Sequence, residues 1–164
     1  MFMADIKPKQ GKWSKKGVPH KGWVCFDVED LKEPSQVCEM CESQKIRYVH
    51  YMEHDDFEDT LGVGCICAGH MEENYERAEA REKKLKTAAR HRTNWSKGGW
   101  KTSAKGNDYK NVDGFNIVIF FKNNKWSYVI KFINTDESKF SPRKYETEGE
   151  AKLAAFDSIN FLKK

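Results

Sequence analysis

No apolar run of about 18 residues, the length that begins to span a bilayer, occurs in this chain, so no transmembrane helix is expected. The opening stretch MFMADIKPKQGKWSKKG lacks the apolar segment of a signal peptide. The expected compartment is therefore the cytoplasm, where thiols stay reduced. There is no internal repeat, and several chemistries leave no mark. The sequence has no His-Glu-x-x-His pair, no phosphate loop, no evident carboxylate pair and no legible nucleophile triad. His50 and His54 are four apart, but they fall in a strand and turn, where that spacing does not converge as it does on a helix. Enzymatic activity is not the expectation.

One sign of charge is also missing, locally. The net charge of +4 is modest, but residues 7–21 hold Lys7, Lys9, Lys12, Lys15, Lys16 and Lys21 and no acid. Residues 27–59 hold eleven acids against Lys32, Lys45 and Arg47, and residues 83–107 hold eight Lys or Arg and no acid. Such blocks fit a basic surface that could meet a polyanion. Aromatic residues make up 13% of the 164, which argues against disorder. The length allows one ordinary domain or two small ones, and small cores usually need a staple such as a metal.

Composition divides the chain into four stretches. Residues 1–22 are Lys-, Gly- and Pro-rich and read as a flexible basic arm. Residues 23–93 carry the cysteines and end in a long charged helix, HMEENYERAEAREKKLKTAARHR. Within them, IRYVHYM (46–52) and LGVGC (61–65) read as strands around a turn. Residues 94–113 are Gly-, Ser-, Asn- and Lys-rich and read as a basic linker. Residues 114–164 form a second unit. In it, Phe115–Phe121 folds back on Trp126–Ile133 across Asn123-Asn124, since Asn tolerates the positive φ of a tight hairpin. Pairing Phe121 with Trp126 also aligns Ile119 with Tyr128, Ile117 with Ile130 and Phe115 with Phe132 on one core face. Lys139–Tyr145 reads as an edge strand because of Pro142. Thr147 with Glu150 forms a capping box for a helix to about Leu162, with Ala151, Ala154, Ala155, Ile159 and Leu162 toward the sheet. The fold class is α+β, with a small three-stranded antiparallel sheet plus one helix expected for this second unit.

Five cysteines in a reducing compartment point to metal or inert thiols rather than disulfides. Cys38-Glu-Met-Cys41 is a C-x-x-C knuckle whose thiolates can reach one tetrahedral ion. About 24 residues later comes Cys65-Ile-Cys67-Ala-Gly-His70. Cys65 with Cys67, or Cys67 with His70, could complete the site, and His50 is a further alternate. Thiolates are the commoner structural ligands, which favours Cys38, Cys41, Cys65 and Cys67 around Zn²⁺. Cys25 lies outside the motif and reads as a core thiol.

Knuckle, hairpin and then a helix at the second ligand group resembles the treble-clef zinc fingers over residues 36–93. The same run looks like small zinc proteins of bacteria and their mobile elements, a resemblance that names no activity. YETEGEAKLAAFDSINFL (145–162) is similar to the end of the DNA-binding domain of ethylene-response factors, and the unit also looks like integrase arm-type domains. In both families the open sheet face enters the major groove, which implies a DNA contact from that face here.

The expected function is that of a nucleic-acid-binding accessory protein. Lys83, Lys86, Arg90, Arg92, Lys97, Lys101 and Lys131 are the candidate contacts, with Trp95 and Trp100 available to stack on bases. Lys83, Lys86 and Arg90 would share one helix face. The alternative is a protein-interaction module, an adaptor or an inhibitor encoded by a mobile element. The acidic segment Glu53–Asp59 and the partly apolar open sheet face motivate it.

Overall fold

A computed structural model describes residues 11–163, apart from the side chains of Arg90, Thr93 and Ser96. Helices and antiparallel sheets make an α+β chain that splits into two compact units, one ending at Ala88 and the other beginning at Ala89. No helix among the described residues is long and apolar enough to cross a membrane.

The first unit is built on a three-stranded sheet. Strands β1 (Val24–Asp30), β4 (Tyr48–His54) and β5 (Phe57–Val63) lie in the order β1-β4-β5. On the central strand β4, Val49 and Met52 are wholly buried. A miniature hairpin of β2 (Gln36–Val37) and β3 (Lys45–Ile46) precedes it and carries the knuckle between its strands.

Two helices follow where the sequence suggested one. Helix α1 (Cys65–Met71) ends at Glu72, Glu73 turns to φ +57°, and α2 (Tyr75–Ala88) begins. The Asn74 side chain accepts the Arg77 N–H at 3.0 Å, so a polar residue in the charged run acts as a cap instead of a helix interior. Gly69 permits the sharp return, because a Cβ there would lie 2.9 Å from the Tyr75 Cα. Helix α2 stops at Ala88 and a 3₁₀ turn occupies Ala89–His91, so the α-helical face drawn through Lys83, Lys86 and Arg90 does not continue.

The expected flexible arm is structured from residue 11 on; its first ten positions lie outside the described residues. Gly11–Ser14 forms a 3₁₀ turn pressed on the knuckle, and the Lys12 N–H donates to the Met40 carbonyl at 2.7 Å. Gly11 is required there. Its φ is +56°, and a Cβ would sit 2.6 Å from the Cys41 carbonyl. The turn delivers Trp13 into the core.

The second unit is a five-stranded antiparallel sheet ordered β10-β9-β8-β7-β6, with a helix on one face. The stretch 94–113, expected as a linker, supplies most of α3 (Arg92–Lys97) and both β6 (Lys101–Thr102) and β7 (Asp108–Val112). Trp95 and Trp100 hold it down: their rings meet edge-on at 5.3 Å and pack on the core, so its glycines and lysines are surface features of a folded segment. Strands β8 (Phe115–Lys122) and β9 (Lys125–Phe132) pair in the register expected, with Phe121 opposite Trp126 and positive φ at both Asn123 and Asn124. Phe121 itself, assigned to the core, is 54% exposed at the sheet's end. Strand β10 is only Ser138–Phe140, at the edge, and Tyr145 adds a single bridge to Trp126. Helix α4 (Glu148–Leu162) starts where Thr147 Oγ1 accepts the Glu150 N–H at 3.1 Å, and buries Ala151, Ala154, Ala155 and Ile159 against the sheet.

Candidate metal centre

The knuckle is formed by backbone hydrogen bonds before any ligand atom is considered. The Cys38 N–H donates to the Gln44 carbonyl and the Glu42 N–H to the Cys38 carbonyl, both at 2.8 Å, and Glu42 takes φ +56°. Glu39 ties this turn to β5. Its N–H donates to the Gly62 carbonyl at 3.0 Å, and its carboxylate accepts the Gly62 N–H at 2.6 Å. On the other side, α1 begins after Gly64 and presents Cys67 in its first turn.

These elements bring the sulfurs of Cys38, Cys41 and Cys67 within 4.8 Å of one another, all buried, in a group that could hold a metal ion. Of the hydrogen-bonded pair Cys38 and Cys67, Cys38 is the thiol held low. It accepts the Cys67 S–H, and backbone N–H groups of Cys41, Gly64 and Met40 also point at it; against the cost of burial they bring its pKa down to about 5. Cys67, which keeps its proton and donates its S–H to Cys38, and is itself buried, is pushed up. The Ser43 hydroxyl donates to the Cys41 sulfur at 3.5 Å. The indole N–H of Trp13 is buried without an ordinary hydrogen-bond partner and acts on the Cys67 sulfur, offsetting part of that rise. Soft sulfur donors with N–H groups converging on them suit a borderline-soft transition ion and not the all-oxygen shells of Ca²⁺ or Mg²⁺.

Cys65 is not in this group. It stands two residues before Cys67 on α1, and positions two apart point to roughly opposite sides of a helix. Its sulfur instead faces His50 and Glu82, and burial, then Glu82 and Glu79, push its pKa up to about 12. His50 belongs to that second cluster and not to the thiol trio. His70 is not in the group either; it lies one turn beyond Cys67 on the same side of α1, with its ring 6.0 Å from that of Trp13. Cys25, hydrogen-bonded to the Asp27 carbonyl at 3.2 Å, is raised to about 11 by burial, as an inert core thiol would be. Trp13 and Glu82 are the residues that sequence reasoning missed. An isolated Trp in a lysine-rich arm was the one available signal for the first.

The candidate nucleic-acid contacts are divided between the two units. Lys83 and Lys86 are exposed on α2, where Lys86 pairs with Glu82 at 3.6 Å. The Arg90 side chain lies outside the described residues. Arg92 is buried and grips Asp157 through two N–H groups, at 3.0 and 2.9 Å, so it belongs to the core of the second unit and not to a phosphate site. Lys97, Lys101 and Lys131 are exposed in the second unit. Trp95 and Trp100 pack inward, and Lys110 caps Trp95 with its Nζ 4.5 Å from the ring, so neither indole is set out as a stacking platform.

A different surface does gather aromatics and lysines. On the side of the second sheet away from α4, the strand register places Lys101, Tyr109, Val118, Phe120, Val129, Lys131 and Phe140 together, with Lys122 and Lys125 at the hairpin end. The acid on β7, Asp108, points to the opposite side, where it meets Lys152 of α4 at 2.8 Å. Phe140 is 64% exposed and lies 6.4 Å from Phe120, ring to ring. No protein-family model, curated protein or solved structure matches this chain.

Proposed function

We propose that this chain is a zinc-binding accessory protein that holds single-stranded nucleic acid on the helix-free face of its second sheet. The observation that carries this reading is the composition of that face. Lys101, Lys122, Lys125 and Lys131 surround Tyr109, Phe120 and Phe140, and no strand position on that side is a carboxylate. Aromatic rings on a flat sheet can stack on splayed bases while lysines neutralise phosphates, a sequence-tolerant mode.

Zinc is the ion we assign to Cys38, Cys41 and Cys67, with His70 as fourth donor. The reading rests on the sulfur-rich donor set and on the order of knuckle, β4–β5 hairpin and ligand-bearing helix, which is that of a treble clef. The ion would act structurally, fixing the knuckle to α1; no reaction is assigned to it.

The test is fluorescence anisotropy of the full chain with single-stranded DNA and RNA oligonucleotides at low salt. Phe140→Ala should weaken binding about tenfold, since stacking contributes roughly 1–3 kcal/mol per base. Lys101→Gln with Lys131→Gln should flatten the salt dependence by about 0.7 per lost phosphate contact. Absence of binding by the unaltered protein would end this reading. The exposure of Phe121, Ile133 and Phe140 favours a second one, a protein partner on the same unit, whose apolar contact would depend little on salt.

A further inference from the structure

A cleft of about 500 Å³ opens in the first unit between α2, the start of α1 and the β3–β4 segment. Cys65 and Glu82 line it, and His50 is buried behind them. The ligand atoms of these three residues lie within 4.8 Å of one another, and His50 Nε2 is 3.4 Å from Glu82 Oε1. Each comes from a different element: His50 from the central strand β4, Cys65 from the first turn of α1, Glu82 from the middle of α2. None is needed by the thiol trio.

We infer that His50, Cys65 and Glu82 form a second metal site, of mixed sulfur, nitrogen and oxygen donors, that takes a divalent transition ion such as Zn²⁺ and keeps a coordination position open to the cleft. Three protein donors of this kind, with a further position accessible from outside, is the donor arrangement of an exchangeable site and not of a closed structural one. Arg47, Lys83 and Lys86 at the cleft wall would favour water or a small anion at the open position.

The surroundings also set the strength of the site. Arg81 Nε donates to His50 Nδ1 at 3.3 Å, while its other nitrogens grip Glu72. Ligation through Nε2 leaves the imidazole proton on Nδ1, so Arg81 must release the ring and rest on Glu72 alone. This makes the second ion the weaker of the two held by the chain. The inference is independent of the sheet-face reading and of the ion at Cys38, Cys41 and Cys67.

The test is zinc stoichiometry of the full chain by elemental analysis after dialysis against Zn²⁺, followed by titration with a chelator. The unaltered protein should hold about two zinc ions per chain, lost in two steps. Cys65→Ser and, separately, the near-isosteric Glu82→Gln should each abolish the first step and leave the second, with far-UV circular dichroism unchanged. Cobalt substitution gives an independent readout, because Cys65→Ser should remove the weaker ion's thiolate-to-cobalt absorption while the stronger band of the trio persists. A single ion that survives both variants overturns the inference. A single ion lost in both variants but kept in Cys38→Ser supports it and overturns the trio instead.

Discussion

Arg92 was a candidate phosphate contact because it stands in an acid-free stretch, yet its partner lies 65 residues away. Asp157 is 1% exposed and on α4, where an isolated carboxylate would be costly to bury. Two parallel N–H···O bonds satisfy both groups. Arg92→Ala should therefore destabilise the second unit by about 3–5 kcal/mol, because it strands a buried charge. Thermal unfolding checks this, and replacing both residues with apolar ones of similar volume should cost much less. The same scale sorts the candidate metal ligands. Cys65 and Cys67 look equivalent as letters, but helical phase separates them, while Cys67 and His70 share a side.

At the scale of elements, the hairpin of β8 and β9 was legible in its register and turn, though not in the exposure of Phe121 at its end. Alternation fixed its face, and Asn123-Asn124 fixed its turn and hence its register. Helix α4 was legible through Thr147, whose cap is local chemistry. The join between β7 and α4 was not, since Asp108 and Lys152 meet only after the sheet has formed. Lys152 holds the Asp108 carboxyl below its usual range, helped by the Thr102 hydroxyl and opposed by burial. A depressed carboxylate contributes stability that is present above its unfolded pKa of about 3.9 and is lost as pH falls through the lower folded value. The stability difference between the unaltered protein and Asp108→Asn should accordingly be constant near neutrality and shrink in strong acid. Denaturant titrations of both proteins across that range measure it.

At the scale of the whole molecule, two units with separate cores should respond separately to metal. Cys38, Cys41 and Cys67 lie inside the first core, so removing an ion there leaves three thiols converging in a small apolar interior. A strong chelator should lower the first unit's melting temperature and leave the second unit's transition in place. Calorimetry that shows one shared transition, or none moved, would contradict this. The boundary matters for such work. A fragment begun at residue 114 would lack β6, β7 and Arg92, and would leave Asp157 buried without its guanidinium.

Although it placed the first unit's second strand at 61–65, where the structure has β5 at Phe57–Val63 and a helix from Cys65, the sequence by itself determined what depends on neighbours within a few residues: the C-x-x-C knuckle, the β8–β9 hairpin and the capped α4. Each follows from alternation, turn chemistry or capping, which act over one or two turns of chain. Only the tertiary structure decided where Trp13 goes, that Cys67 is the later candidate that joins the knuckle cysteines, and that the apparent linker completes a sheet. Those outcomes depend on which faces of separate elements meet, and on close approaches such as Gly11 against Cys41 and Gly69 against Tyr75. The acid-free run of lysines and arginines shows the limit most plainly. Charge is written in the sequence, but whether a given arginine meets solvent or a buried aspartate is fixed by the distant element it packs against.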